Sequence, residues 1–177
     1  MRLKVGERAP GFEVTALDGR EVTVGDQNEG HVLLSFYRYA SCPFCNLRVR
    51  EVNAAATDLA DRDIAALAVF HSPPERLGLY MEDQTFRFPL IADPGLDLYR
   101  AFGVEKSWPG FLKGMMNVRT LLRAFKNGHL PGRMDGPKNT IPADFLISPG
   151  GLIVDVYYGE DMTDHIPLER VFQRISN

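Results

Sequence analysis

Val32-Leu33-Leu34-Ser35-Phe36-Tyr37-Arg38-Tyr39-Ala40-Ser41-Cys42-Pro43-Phe44-Cys45 is the stretch that decides the fold. Val32 to Tyr37 is an apolar run of strand length. After Cys45, residues Asn46 to Leu59 place Leu47, Val49, Val52, Ala55, Ala56 and Leu59 at helical spacing. The only two cysteines of the chain therefore stand at the junction of a buried strand and a helix N-terminus. At i and i+3 across a helix start, the Cα atoms fall within the ~4.4–6.8 Å that a disulfide spans. The unpaired N–H groups and the dipole of the helix favour a thiolate there. Thiols in this spacing ionise with pKa values of roughly 3.5 to 7.5. Arg38 at the strand exit and Arg48 one turn beyond Cys45 each add positive charge nearby, and Pro43 stiffens the loop. Redox work also requires that the ionised sulfur be reachable.

Working outward, Phe12 to Ala16 and Arg20 to Val24 flank the turn Leu17-Asp18-Gly19 and predict a hairpin. Ile64 to Phe70 is a second buried strand. Pro73-Pro74 opens a helix through Asp83, Pro89 to Ala92 is a short strand, and Leu96 to Phe102 is a short helix. Residues 105–139 interrupt this alternation with a helix predicted over Phe111 to Lys126, stopped by Asn127-Gly128. Ala143 to Ile147 and Leu152 to Tyr158 then form a second hairpin across Ser148-Pro149-Gly150-Gly151, and Pro167 to Ile175 is the terminal helix. Strands alternating with helices, closed by a hairpin and a helix, predict an α/β fold. Its mixed central β-sheet is flanked by helices, with an N-terminal β-hairpin and a helical insertion at about 105–139. All of residues 1–177 are read as one domain.

Composition excludes several classes. Hydrophobic residues make up 45% and charged residues 24%, as in ordinary globular chains. No signal peptide is evident at the N-terminus, no apolar run approaches the ~20 residues that span a bilayer, and the chain is read as cytoplasmic. The net charge of −3 implies no nucleic-acid partner. Within 105–139, however, seven basic residues (Lys106, Lys113, Arg119, Arg123, Lys126, Arg133, Lys138) stand against Glu105 and Asp135. That face is either simply solvated or meets an acidic partner, and its helix offers a surface for a homodimer. Zinc needs four ligands; two cysteines and the scattered His31, His71, His129 and His165 do not supply them, so neither a metal nor a cofactor is expected. Trp108, Phe111, Met115 and Met116 read as core more readily than as a lid, and His71 as a surface histidine.

Val5-Gly6-Glu7-Arg8-Ala9-Pro10-Gly11-Phe12 with Leu17-Asp18-Gly19, Phe36-Tyr37 before the cysteines, and Ile141-Pro142-Ala143-Asp144-Phe145-Leu146-Ile147 with Gly150-Gly151-Leu152-Ile153 resemble the peroxiredoxin-like AhpC/TSA proteins of the thioredoxin fold. The resemblance implies a thioredoxin-like domain and places Cys45 where such proteins carry the peroxide-attacking cysteine. Three positions depart from the pattern: Arg38 stands where Pro is usual, Cys42 where Thr is usual, and Pro142 where Arg is usual. That Thr and Arg help bind the peroxide. The same changes look thioredoxin-like. There the first cysteine attacks, and a proline, usually cis, packs against the pair; Pro142 matches it by position. The buried acid of thioredoxins is missing from the strand before the cysteines. Asp144 is either a substitute proton relay or an aspartate capping a loop.

The resemblance implies a thiol-dependent antioxidant oxidoreductase cycling Cys42 and Cys45 between dithiol and disulfide. In one version Cys45 attacks a hydroperoxide and Cys42 resolves the sulfenic acid. In the other Cys42 attacks a disulfide and Cys45 resolves. Arg38, Arg48, Pro142 and Asp144 are the candidate supporting residues. Electrons would come from a thioredoxin- or glutathione-type thiol donor. The alternative is a non-enzymatic redox-sensing protein that binds a partner through the basic 105–139 segment.

Overall fold

The computed structural model describes residues 1–81, 85–116 and 136–175. β1 (Phe12–Thr15) and β2 (Glu21–Val24) form a separate antiparallel hairpin. The main sheet holds β3 (His31–Phe36), β4 (Ile64–Phe70), β5 (Leu90–Ala92), β6 (Ala143–Ile147) and β7 (Ile153–Tyr158) in the order β5-β4-β3-β6-β7. β3, β4 and β5 run parallel; β6 and β7 are antiparallel. The helices are α1 (Pro43–Ala54), α2 (Ala56–Ala60), α3 (Pro74–Met81), α4 (Asp97–Ala101), α5 (Trp108–Met115) and α6 (Leu168–Ile175). Among the described residues, no helix is long and apolar enough to cross a membrane.

Strand alternation divides the core into two layers. Leu33 of β3 and Tyr37 just beyond its end face α1 and pack with Val49, Val52 and Phe70. Leu34 and Phe36 face the other side with Val24, Phe102 and Phe145. Phe36 sits among the rings of Tyr99, Phe102 and Phe145, at centroid distances of 5.1, 5.2 and 5.8 Å. The central strand β3, apolar on both faces, thus delivers its C-terminal end to the cysteines.

α1 begins where its sequence allows. Cys42 is the N-cap in extended conformation and Pro43 fills the first turn, which lacks helical N–H partners anyway. The helix read over Asn46–Leu59 starts three residues earlier and breaks at Ala55, whose N–H is shared between the carbonyls of Glu51 and Val52. No Gly or Pro marks that break. At its start, α4 depends on Asp93, whose buried carboxylate accepts the N–H groups of Asp97, Leu98 and Tyr99 at 3.0, 2.9 and 3.3 Å. Asp93→Ala leaves these donors without that acceptor. The expected cost is about 2 kcal/mol, read as a fall of about 4–8 °C in thermal midpoint for a chain of this size.

The 105–139 segment is closed at its base. Lys106 bridges Thr140, Ser107 N–H donates to the Asn139 carbonyl at 2.7 Å, and Ile141 N–H donates to the Glu105 carbonyl at 3.0 Å. α5 lies against the domain through its glycines: a Cβ on Gly114 would stand 2.4 Å from Met162 Cγ. Most of the helix predicted over Phe111–Lys126, with Arg119, Arg123, Lys126 and Arg133, falls outside the described residues. The core reading of its apolar stripe fails on the described part. Phe111 packs inward, while Trp108, Leu112, Met115 and Met116 are exposed. The glycine face of α5 is the one that docks, so these larger side chains point outward.

Candidate active site

Cys42 caps α1 and Cys45 sits in its first turn, both as free thiols. Two donors converge on Cys42 Sγ: Arg38 Nη2 at 3.0 Å and Cys45 N–H at 3.4 Å. Cys45 Sγ accepts one weaker bond, from Arg38 N–H at 3.4 Å. Burial alone would push the Cys42 thiol up. The Cys45 hydrogen bond and the Arg38 charge outweigh it and bring Cys42 down to about 6 from the usual 9.0. Cys45 moves the other way, raised by its own burial and by the negative charge it faces on Cys42. The pair is thus polarised into one thiolate and one thiol.

Accessibility departs from expectation. Cys42 is 0% exposed and Cys45 1%. The reason is Arg38, which the strand exit turns back over the helix start. Its guanidinium is held by the Lys138 carbonyl at 2.9 Å and flanked by the rings of Tyr39 (5.2 Å) and Phe111 (5.8 Å). The base of the insertion therefore reaches over the cysteine pair, and a substrate meets the sulfurs only when this cover moves.

The other candidates separate. Arg48 points away from the cysteines: Nη2 donates to the Ile166 carbonyl at 2.6 Å and Nη1 pairs with Glu51. Pro142 is buried at the entrance to β6 and lines a cavity of about 310 Å³ with Arg2, Glu105, Ser107 and Tyr158. Its peptide bond is not cis; among the described residues every peptide is trans. Asp144 stands inside the sheet opposite Ser35 and is fully buried. Its carboxylate accepts Ile166 N–H at 2.8 Å and faces His165 Nδ1 at 3.1 Å. It caps that loop from below. Burial opposes its ionisation, but the His165 charge and hydrogen bond hold it below the usual carboxylate range. His165 in turn lies tilted against the Tyr37 ring, with centroids 4.8 Å apart. Neither His165 nor the Lys138 carbonyl carries a local sequence signal, because each enters from a segment distant along the chain.

His71 is buried rather than at the surface, lying between Tyr39 and Tyr99 at 6.1 and 5.8 Å. A Cβ on Gly136 would stand 2.0 Å from its Nδ1, so only glycine permits that approach. Among the described residues, no three metal-ligating side chains gather into one group.

A model of the AhpC/TSA family matches residues 5–156, which include both cysteines, four strands of the main sheet and the first part of β7. The chain belongs to the AhpC/TSA family. A putative peroxiredoxin of Mycobacterium tuberculosis (strain H37Rv) is 24% identical over 165 residues, 93% of this chain and 91% of that one. Peroxiredoxin Bcp of Escherichia coli K12 is 30% identical over 110 residues, 61% of this chain and 70% of that one. The crystal structure of peroxidoxin BcpB from Mycobacterium tuberculosis superposes with a TM-score of 0.71 at 18% identity, covering 99% and 97% of the two chains. The fold is thus thioredoxin-like, and this AhpC/TSA protein is a thiol-dependent peroxidase or oxidoreductase.

Proposed function

We propose that Cys42 is the attacking thiolate and Cys45 the resolving thiol, within one thioredoxin-like domain spanning residues 1–177. The observation that carries this reading is the convergence of Arg38 Nη2 and the Cys45 N–H on the single sulfur of Cys42, while Cys45 Sγ accepts only a backbone N–H. A hydroperoxide would be cleaved at its O–O bond. One oxygen joins Cys42 as a sulfenic acid, and the other leaves as an alcohol or water. Cys45 then attacks Cys42 Sγ, loses its proton and expels water as the disulfide forms. A disulfide substrate would use the same first nucleophile, through a mixed disulfide. Arg38 supports either route. It supplies beside the sulfur the cation that the family's late-strand arginine, replaced here by Pro142, would supply. A thioredoxin- or glutathione-type thiol donor in a reducing cytoplasm would return the dithiol.

Thiolate absorbance tests the assignment. The reduced protein is expected to show one ionisation near pH 6. It persists below the free-thiol range in Cys45→Ser and vanishes in Cys42→Ser. An ionisation near 6 that survives in Cys42→Ser would transfer the attack to Cys45.

A further inference from the structure

Arg38 is 1% exposed, and among the described residues its guanidinium meets an anion only in the reduced Cys42 sulfur. No carboxylate of the described residues pairs with it. Among them its partners are Cys42 Sγ on Nη2, the Lys138 carbonyl on Nη1 and the two flanking rings, and Nε finds no hydrogen-bond partner there. Oxidation removes the anion. The Cys42 thiolate and the Cys45 thiol become a neutral disulfide, one proton is released, and two electrons pass to the hydroperoxide or disulfide substrate. A buried guanidinium without a counter-charge is strongly disfavoured. The oxidised protein must therefore expel Arg38 or give it another anion.

The edge left open decides between these. Nε and Nη2 lie side by side on one edge of the guanidinium and present two parallel N–H donors, which fit a carboxylate. The same edge of Arg170 grips Asp155 at 2.7 and 2.5 Å, and that of Arg2 grips Glu105 at 3.0 and 2.8 Å. With Cys42 tied into a disulfide, both donors of that edge are left without an anion among the described residues. We propose that Arg38 is a specificity-determining residue of the oxidised protein, binding the carboxylate of a small anionic thiol and so selecting the reductant. The inference rests on the reading of Cys42 as the resting thiolate. The first thiolate breaks the Cys42–Cys45 bond, forming a mixed disulfide with one cysteine and releasing the other. A second thiolate attacks the first thiol's sulfur in that mixed disulfide and expels the protein cysteine. In all, two thiols become one disulfide and release one proton, and the protein regains its thiolate and thiol.

The test follows the reduction of oxidised full-length protein by mercaptopropionate, mercaptoethanol and cysteamine. Each rate is divided by the same thiol's rate on an uncharged model disulfide. The carboxylate thiol is expected to exceed the neutral one by roughly tenfold, the gain of one charge-assisted contact. The cationic thiol falls below both, and Arg38→Gln brings the three within about twofold. Should Arg38→Gln not fold, propionate replaces it as the probe. It is expected to inhibit wild-type reduction by mercaptopropionate and to leave reduction by mercaptoethanol unchanged. Rates that follow solution reactivity alone, a preference that survives in Arg38→Gln, or propionate without effect would each overturn the inference. The thiolate titration is read on reduced protein. Its failure sinks the Cys42 assignment, whereas a flat thiol series beside an intact titration sinks only the selection by Arg38.

Discussion

Cys42→Ser lowers turnover by roughly a thousandfold or more, the scale on which removal of an attacking nucleophile acts. A serine hydroxyl at the α1 N-cap still accepts the Arg38 and Cys45 donors, but it does not ionise near neutral pH. Cys45 cannot readily take over. Its burial still opposes ionisation once the Cys42 charge is gone, and the hydrogen bond it accepts from Arg38 is the backbone N–H at 3.4 Å. Cys45→Ser behaves differently. Cys42 keeps the Arg38 guanidinium and the backbone N–H of residue 45, so the first chemical step survives. One equivalent of hydroperoxide then adds one oxygen to Cys42, or one equivalent of disulfide leaves a mixed adduct, and the reaction stops. Mass spectrometry of the two variants after a single equivalent of oxidant reads this directly. Wild-type-like turnover in Cys42→Ser, or an adduct that forms on Cys45 there as fast as on Cys42 in Cys45→Ser, defeats the assignment.

The fold was legible because its decisive signals are local. The β3 run, the cysteine spacing and Pro43 sit within a few residues of one another, and each structural element follows from its own stretch. The polarity of the cysteine pair was not legible. Arg38 lies four residues before Cys42, yet spacing does not say which sulfur a flexible guanidinium meets. Its orientation is set by the Lys138 carbonyl, a hundred residues further on. The enclosure of both sulfurs has the same origin, since the cover comes from α5 and the base of the insertion. Asp144 could be suspected from sequence, but its partner His165 enters from a loop after β7 that no periodicity marks. The break of α1 at Ala55 falls in an alanine-rich run where propensity favours continuation. These misses concern contacts between distant segments, and those contacts supply the chemistry.

Reduced protein is expected to grow more stable as pH rises from about 6 to 9, and Arg38→Met to lose that gain. Cys42 ionises near 6 in the folded chain and near 9.0 once unfolded. Between those values the unfolded chain holds a proton that the folded chain lacks, so raising the pH favours the fold, by up to about 4 kcal/mol across the window. The stabilisation is fully present above pH 9 and is lost as pH falls through 6. Above 9 a second effect sets in. Cys45 stays protonated in the fold but ionises when unfolded, and stability declines again. Methionine at position 38 matches the length of the arginine stem and removes the charge, so only the Cys45 hydrogen bonds still oppose burial of the Cys42 thiol, and its pKa moves back up towards the unfolded value. For a full return to 9.0 the thiolate fraction at pH 7 falls about a hundredfold, while the more basic sulfur is intrinsically more reactive, by roughly 16- to 32-fold at a Brønsted slope of about 0.4–0.5. The first step should therefore slow by only about three- to sixfold, and its pH profile should shift upward with the titration. Denaturant unfolding across this pH range under a non-thiol reductant measures the stability effect, and stopped-flow oxidation measures the rate. A flat wild-type profile between pH 6 and 9, or the same slope in Arg38→Met, would mean that the guanidinium is not what holds Cys42 as an anion.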